Sequence, residues 1–279
     1  MTVRMLALAS LFSLFAQQRV PWVFPPIPTT FPNPFGVPLP AQAAVPAAVP
    51  AGVPVVMELF TNNDCPACDQ AESELIRLTT TQPVPGIRVV PIAFHVDFFG
   101  GTTKNDPFVL PTATQRQQTY DSSRGRVYTP QAIVDGDREF IGSADGTARQ
   151  AIAASALRQK VGVAVSRSAR VLGPPWLPVS IRYGGAASPG GVVLTAVLTE
   201  SGIIVNLPQS EGSGGRTLMA PIVRSMQAVG SASPGGGAAE ATLAIPANAV
   251  RANLTVVVLL EEASTHHVIG VGTMGPGGF

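Results

Sequence analysis

The feature that most constrains the fold is a change of pattern part-way along the chain. Between Val53 and about Lys160, apolar runs alternate with stretches of helical spacing, in the order strand–helix–strand–helix–strand–strand–helix. After about Val161 helix signals vanish, and short β-rich runs follow one another between Gly, Pro and Ser turns. The second pattern favours an antiparallel sandwich of about six or seven strands.

Several segments of the first part carry specific signals. VVMELF is a short apolar run with β-branched residues and predicts a buried strand, and IRVVPIAFHVDFF predicts a second. CPACDQAESELIRLTTT predicts a helix with Asp64 as its N-cap and Pro66 in its first turn. The tight turn Asp135-Gly136-Asp137 between two apolar runs predicts a hairpin.

The only two cysteines of the chain, Cys65 and Cys68, open this predicted helix with C-x-x-C spacing. Two cysteines cannot form a disulfide scaffold, and a close pair indicates redox or metal chemistry. A helix N-terminus favours the thiolate, so Cys65 is the candidate nucleophile. Cys68, one turn later on the same face, is the candidate resolving thiol.

The alternative to redox chemistry is a metal site in which a histidine joins the two cysteines as a ligand. A copper site formed by Cys65, Cys68 and His95 is chemically conceivable, because thiolate and imidazole both suit copper. A lone histidine on an apolar strand is more often a core residue with a satisfied hydrogen bond. His266 and His267 are adjacent near a strand start and point to opposite faces, so they make a poor chelate. We therefore expect no metal and no cofactor.

The N-terminus has the character of an export signal. MTVR supplies a positive charge, and an apolar run of twelve residues extends from Met5 to Ala16. Twelve helical residues cover about 18 Å, too little for a hydrocarbon core of about 30 Å. Residues 1–16 are thus either a cleaved signal peptide or a retained apolar segment near a membrane. Both interpretations predict a periplasmic or extracytoplasmic protein, membrane-associated in the second.

Residues 17–52 form a Pro-rich block that we expect to be extended, because proline removes backbone donors. It is either a spacer or an arm that docks on a protein partner. In the second case the partner-binding residues are Trp22, Phe24, Phe31 and Phe35. The formal net charge of +1 and the lack of a basic cluster argue against nucleic acid as a partner.

VVMELFTNNDCPAC, AFHVDFF, NDPF, RQQTY, VYTPQAIVDG and EFIGS, in this order, resemble the secreted thioredoxin-like family known as domain of unknown function 1223. GRTLMAPIVRSM and VVVLLEEASTHHVIGVG extend the resemblance over residues 53–275. It implies an α/β thioredoxin-like domain over 53–162, followed by an all-β antiparallel sandwich domain over 163–279.

The resemblance also implies roles for three further residues. Glu58 takes the place of a buried carboxylate that accepts the proton of the resolving thiol, although its offset from the cysteines differs by one residue. A solvent-facing or Arg-paired Glu58 is the alternative. Pro130, preceded by a cis bond, presents the backbone of Thr129 to an extended peptide substrate and keeps metal from the thiols. A plain turn proline is the alternative there.

Two functions remain open, and they are not exclusive. The first is an exported thiol–disulfide oxidoreductase that uses Cys65 and Cys68. The second is a non-catalytic accessory subunit on the outer face of a membrane protein complex, bound through the Pro-rich aromatic arm. In that case the two cysteines form a stable disulfide or an idle thiol pair.

Overall fold

The computed structural model describes residues 52–98, 106–124, 127–210 and 213–279. These residues belong to one compact unit. The predicted signal or anchor (1–16) and the predicted arm, except Gly52, lie outside the described residues. So do the partner-binding candidates Trp22, Phe24, Phe31 and Phe35. Among the residues that the structure describes, no helix is both long enough and apolar enough to cross a membrane.

The described residues contain three α-helices and thirteen strands. The helices are α1 (Cys68–Thr81), α2 (Pro111–Arg124) and α3 (Asp145–Ala156). The strands are β1 (Val53–Thr61), β2 (Ile87–His95), β3 (Gln131–Val134), β4 (Arg138–Ile141), β5 (Val163–Arg167), β6 (Trp176–Tyr183), β7 (Val192–Glu200), β8 (Ile204–Ser210), β9 (Ser213–Leu218), β10 (Ile222–Ser231), β11 (Gly237–Ala244), β12 (Leu254–Glu262) and β13 (Val268–Met274). Two single-turn 3₁₀-helices cover Arg251–Asn253 and Pro276–Gly278.

Eight strands form one mixed sheet in the order β13-β12-β7-β10-β2-β1-β3-β4. Strand β1 pairs in parallel with β2 and antiparallel with β3, and β3 and β4 form the hairpin at one edge. At the other edge of β2, β10 joins through the single pair Ile222↔Ala93. A three-stranded sheet (β11-β6-β5) and the ribbon β8-β9 complete the strands described.

The predicted fold class, an α/β thioredoxin-like domain followed by a separate all-β sandwich, is wrong. Strands from both sides of the expected boundary between residues 162 and 163 share the eight-stranded sheet. Strand β2 is apolar from Val89 to Phe94 and needs a neighbour on each edge, which β1 and, locally, β10 provide. The sequence shows which segments are strands but not which partner each strand takes. Ala93 of β2 pairs with Ile222, which lies 129 residues further along the chain.

Side-chain alternation along the strands places three buried clusters on the two faces of this sheet. Met57 and Leu59 of β1 pack with α1 and α3 on one face. Val56 and Phe60 lie on the opposite face with Tyr120 of α2 and with residues of β7 and β12. The three-stranded sheet packs over β7 and β12 in a third cluster. The face that carries α1 and α3 also carries the three-stranded sheet, and α2 covers the other.

Candidate functional site

The two cysteines lie where β1 passes into α1. They are joined by a disulfide, with their Cα atoms 5.4 Å apart. The predicted helix start at Cys65 is wrong, because α1 begins at Cys68 with Ala67 as its N-cap and without a side-chain cap. The carbonyl of Cys65 accepts a hydrogen bond from the amide of Cys68 at 3.0 Å. This closes a four-residue turn with Pro66 at its second position, where proline is favoured.

Both cysteines are largely buried. Cys65 is 5% exposed and Cys68 is 2% exposed, whereas Pro66 and Ala67 between them are exposed. A partner molecule that reaches this turn therefore meets Pro66 and Ala67 first.

The two residues that were predicted to bind a peptide substrate lie beside this turn. The peptide bond between Thr129 and Pro130 is cis. In the ladder between β1 and β3, Phe60 pairs with Gln131. The same register places Thr129 and Pro130 next to Thr61 and Asn62, the residues that lead into the cysteine turn. Four of the five predicted catalytic and substrate-binding residues thus lie near the same end of β1.

Glu58 is the fifth, and it lies on the other face of the sheet. Its carboxylate accepts hydrogen bonds from Arg116 (2.8 Å) and Tyr120 (2.6 Å) of α2. Burial raises the pKa of Glu58, and Arg116 opposes this effect. The expected proton transfer from a cysteine to Glu58 is wrong, because a one-residue difference in offset along a strand moves a side chain to the opposite face. The alternative that Glu58 pairs with an arginine is the one observed.

A second buried carboxylate lies on the same side of the sheet as the cysteines. Glu72 of α1 is 1% exposed and sits four residues after Cys68, which places both side chains on one face of the helix. Its Oε2 accepts the amide of Ala220 at 2.8 Å, and its Oε1 lies 3.9 Å from Nε2 of His95. Nδ1 of His95 lies 2.7 Å from Oδ2 of Asp106. The three side chains form a buried polar row behind the cysteine turn.

The electrostatic environment differs along this row. Burial raises the pKa of Glu72, and the neighbouring His95 opposes the shift. Burial by itself would raise the pKa of Asp106 as well, but its bond to His95 and the amides of Asn63 and Phe108 hold that pKa below its usual value. Asp106 is thus a stable carboxylate, whereas Glu72 can take up a proton more easily. The row also contacts the residues just before Cys65, because the amide of Asn63 donates a hydrogen bond to Asp106 at 2.9 Å.

The sequence contained only part of this information. The helical spacing of α1 places Glu72 on the buried side with Ala71 and Leu75, so a buried glutamate could have been noticed. Asp106 has no signal from periodicity, because it precedes α2 outside any periodic segment, although it lies in the NDPF motif. His95 is a core residue with a bonded ring nitrogen, as expected, and its ring contacts are Asp106, Glu72 and Phe108. Within the described residues, no group of three or more His, Cys, Asp or Glu side chains could hold a metal ion.

Comparison with known proteins identifies the family. The family model described as "Protein of unknown function (DUF1223)" matches residues 56–261, about three quarters of the chain. The chain belongs to this family. The resemblance inferred from the sequence motifs is therefore confirmed as to the DUF1223 family. Among curated proteins, nothing matches the chain.

Two solved structures share the fold of this DUF1223 protein. One is the crystal structure of protein AGR_C_4864 from Agrobacterium tumefaciens, with 24% identity and a TM-score of 0.56 over 82% of this chain and 96% of that chain. The other is HBP35 of Porphyromonas gingivalis, with 15% identity and a TM-score of 0.60 over 80% of this chain and 75% of that chain. At these identities the likeness concerns the fold alone.

Proposed function

We propose that this DUF1223 protein is an exported thiol–disulfide oxidoreductase whose reacting group is the Cys65–Cys68 pair. The observation that carries the proposal is the position of the disulfide, at the turn into α1 and near the residues Thr129 and Pro130 that lead into β3. Cys68 is the first residue of α1, where unpaired amides and the helix dipole favour negative charge on sulfur. Export is supported by the apolar N-terminal run alone.

The reaction proceeds in two exchange steps. In the oxidised protein, a substrate thiolate attacks Sγ of Cys65, the Cys65–Cys68 bond breaks, and Cys68 leaves as a thiolate that takes up a proton. A second substrate thiolate then attacks the substrate sulfur of the mixed disulfide and releases Cys65. The substrate dithiol loses two electrons and becomes a disulfide, and the protein gains them as two thiols. Run in reverse, the same steps reduce a substrate disulfide.

The surroundings of the turn support this assignment of roles. Pro66 and Ala67 expose the turn to an incoming chain, and Thr129 offers its backbone next to Asn62. Glu72 lies one helical turn behind Cys68 and can hold the proton that Cys68 exchanges. This replaces Glu58 in that role.

The test is thiol exchange by the purified protein in both directions. The wild type should catalyse dithiol-dependent reduction of insulin and oxidation of a reduced dithiol peptide, and Cys65→Ser should abolish both. Cys68→Ser should accumulate a mixed disulfide with glutathione at Cys65, which intact-mass measurement detects. Ala67→Ser, an exposed change in the same turn, is the control and should retain activity. Lack of exchange by wild type with every thiol couple would rule the proposal out.

A second candidate is a non-catalytic subunit that binds a protein partner or membrane protein complex. The near-complete burial of both cysteines favours it, since reactive cysteines are usually partly exposed. In this case the disulfide stabilises the turn, and the partner contacts come from Trp22, Phe24, Phe31 and Phe35 of the N-terminal arm.

Its experiment is a pull-down from detergent-solubilised membranes with full-length protein, a form without residues 1–52, and the cysteine variants. Loss of the partner on arm deletion, together with unchanged binding by Cys65→Ala and Cys68→Ala, would support the second candidate. Unchanged fractionation of the arm-deleted form would count against it.

A further inference from the structure

The eight-stranded sheet is open over part of the edge between β2 and β10. Ala93 pairs with Ile222, and the amide of Ala93 donates to the carbonyl of Pro221 at 2.9 Å. Nearer the start of β2 no strand pairs with this edge among the described residues. The amide of Val89 is satisfied there by the side chain of Gln82 at 2.8 Å, and Pro91 has no amide hydrogen. The open edge therefore offers no donors to an added strand.

A cavity of about 300 Å³ occupies this opening. That volume is at the small end of the range for ligand sites, which is roughly 300–1,000 Å³. Its lining includes one charged side chain, Arg88, and no carboxylate. The site shares no residue with the Cys65–Cys68 turn.

Arg88 is a half-buried cation without a counter-ion among the described residues. Burial is the one influence that lowers its pKa, so no neighbouring carboxylate offsets the loss of water. The other arginines around the sheet are neutralised: Arg116 contacts Glu58 and Glu261, and Arg224 contacts Glu200. An uncompensated cation facing a cavity is the arrangement that an anion would stabilise.

Hydroxyl groups line the opposite wall. Thr199 pairs with Thr255 across β7 and β12, and Thr273 pairs with Val257 across β12 and β13. Side-chain alternation places these residues on one face of the sheet, next to one another. Thr199 donates its hydroxyl proton to the carbonyl of Thr255 at 3.3 Å. Val90 and Val257 add apolar surface, so the lining suits a ligand with one charged end and an apolar body.

We infer that this cavity binds a small organic carboxylate, whose carboxylate group pairs with Arg88 and whose apolar part contacts Val90 and Val257. Arginine and a carboxylate form two parallel hydrogen bonds, which a neutral amide of the same shape cannot form with the same strength. The wall of threonine hydroxyls supplies further donors and acceptors for a polar substituent. The inference is independent of the proposed redox function.

The test uses benzoate as the probe and benzamide as its neutral isostere, with binding to the full-length protein followed by calorimetry and by the shift in Tm. We expect benzoate to bind at least tenfold more tightly than benzamide. Arg88→Gln should weaken benzoate binding at least tenfold, and Thr273→Val should weaken it a few-fold. Arg138→Gln removes an exposed arginine from β4 and is the matched control, with unchanged affinity. The double variant Cys65→Ser/Cys68→Ser should bind benzoate as the wild type does.

Three results would overturn the inference. The first is equal affinity for benzoate and benzamide, or no binding of either. The second is unchanged benzoate affinity in Arg88→Gln that is shown to be folded by circular dichroism. The third is displacement of benzoate by inorganic phosphate at equal concentration, which would identify a site for inorganic oxyanions. If Arg88→Gln does not fold, Thr273→Val serves instead. The inference would then be overturned if Thr273→Val bound benzoate as tightly as the wild type does and if the wild type bound benzoate and benzamide equally.

Discussion

Replacement of Arg116 should strongly destabilise the described fold. Its guanidinium, 6% exposed, bridges two buried carboxylates from opposite ends of the chain. Nε and Nη2 donate to Glu58 at 3.2 and 2.8 Å, and Nη1 donates to Glu261 at 3.1 Å. Nη2 also donates to the hydroxyl of Tyr120 at 2.6 Å. Replacement by Met keeps most of the volume but leaves two carboxylates facing each other without a cation.

The size of the effect follows from this geometry. Removing one partner from a buried ion pair costs about 3–5 kcal/mol, because the remaining charge stays out of water. A protein of marginal stability, with about 5–15 kcal/mol in total, would lose a large part of it. Arg149→Met, which breaks an exposed pair with Asp145 on α3, is the control, and it should cost less than about 1 kcal/mol.

The pH dependence provides an independent check. The pKa of Glu58 is raised in the folded protein, so its ionisation costs folding stability as pH rises above the unfolded value of 4.5. Without Arg116 that pKa rises further, and the cost is larger. The loss of unfolding free energy caused by Arg116→Met should therefore grow between about pH 5 and pH 8.

Urea unfolding followed by circular dichroism measures both effects. A loss of unfolding free energy below about 1 kcal/mol at neutral pH, or a loss that does not change with pH, would refute the assignment of a buried charge network. The triple replacement of Glu58, Arg116 and Glu261 by Met should recover much of the lost stability, because it removes the uncompensated charges together.

Three further predictions concern Gly136, Glu72 and the Cys65–Cys68 disulfide. Gly136 has φ +70, and a Cβ there would overlap the carbonyl oxygen of His266, so Gly136→Ala should lower the free energy of unfolding by roughly 2 kcal/mol or more in a urea titration. The pKa of Glu72 is raised in the folded protein, so ionisation of this carboxyl costs folding stability above about pH 4.5. The stability of Glu72→Gln relative to wild type should therefore increase between about pH 5 and pH 8. A stability difference that does not change with pH would contradict this prediction. The Cys65–Cys68 disulfide closes a short loop, so its reduction should cost no more than about 2 kcal/mol, measured as the shift in urea midpoint with and without reductant.

Local sequence signals predicted the elements of the first half well. The apolar run VVMELF is β1, and the spacing of Ala71, Leu75 and Leu78 gives the buried face of α1. The Asp135-Gly136 turn joins β3 and β4, with Asp135 and Gly136 both at positive φ. These are interactions between residues close in the chain, so their pattern is visible in one sequence.

The partners of these elements could not be predicted in the same way. A strand that is apolar on both faces indicates burial but does not specify its neighbour, so the pairing of β2 with β10 had no signal. The site shows the same limit. The C-x-x-C pair and Thr129-Pro130 suggest a site as motifs. Asp106 and Ala220 also lie in motifs, NDPF and GRTLMAPIVRSM, but those motifs do not indicate the tertiary contacts that bring the two residues to the site. Glu58 was assigned by resemblance, and the strict alternation of a strand placed it on the wrong face for that role.

The cysteine turn is held by residues from distant parts of the chain, and this bears on how the proposed activity depends on the fold. Asp106 accepts a hydrogen bond from the amide of Asn63 and also contacts His95. Glu72 accepts a hydrogen bond from the amide of Ala220. Ala220 lies two residues before Ile222, whose pair with Ala93 joins the C-terminal strands to β2. A fragment that ended near residue 162 would therefore leave the buried Glu72 without its amide donor and Glu58–Arg116 without Glu261. Buried polar groups without partners are costly. The C-terminal strands are thus part of what positions the cysteines, rather than a module attached to an N-terminal domain that is complete without them.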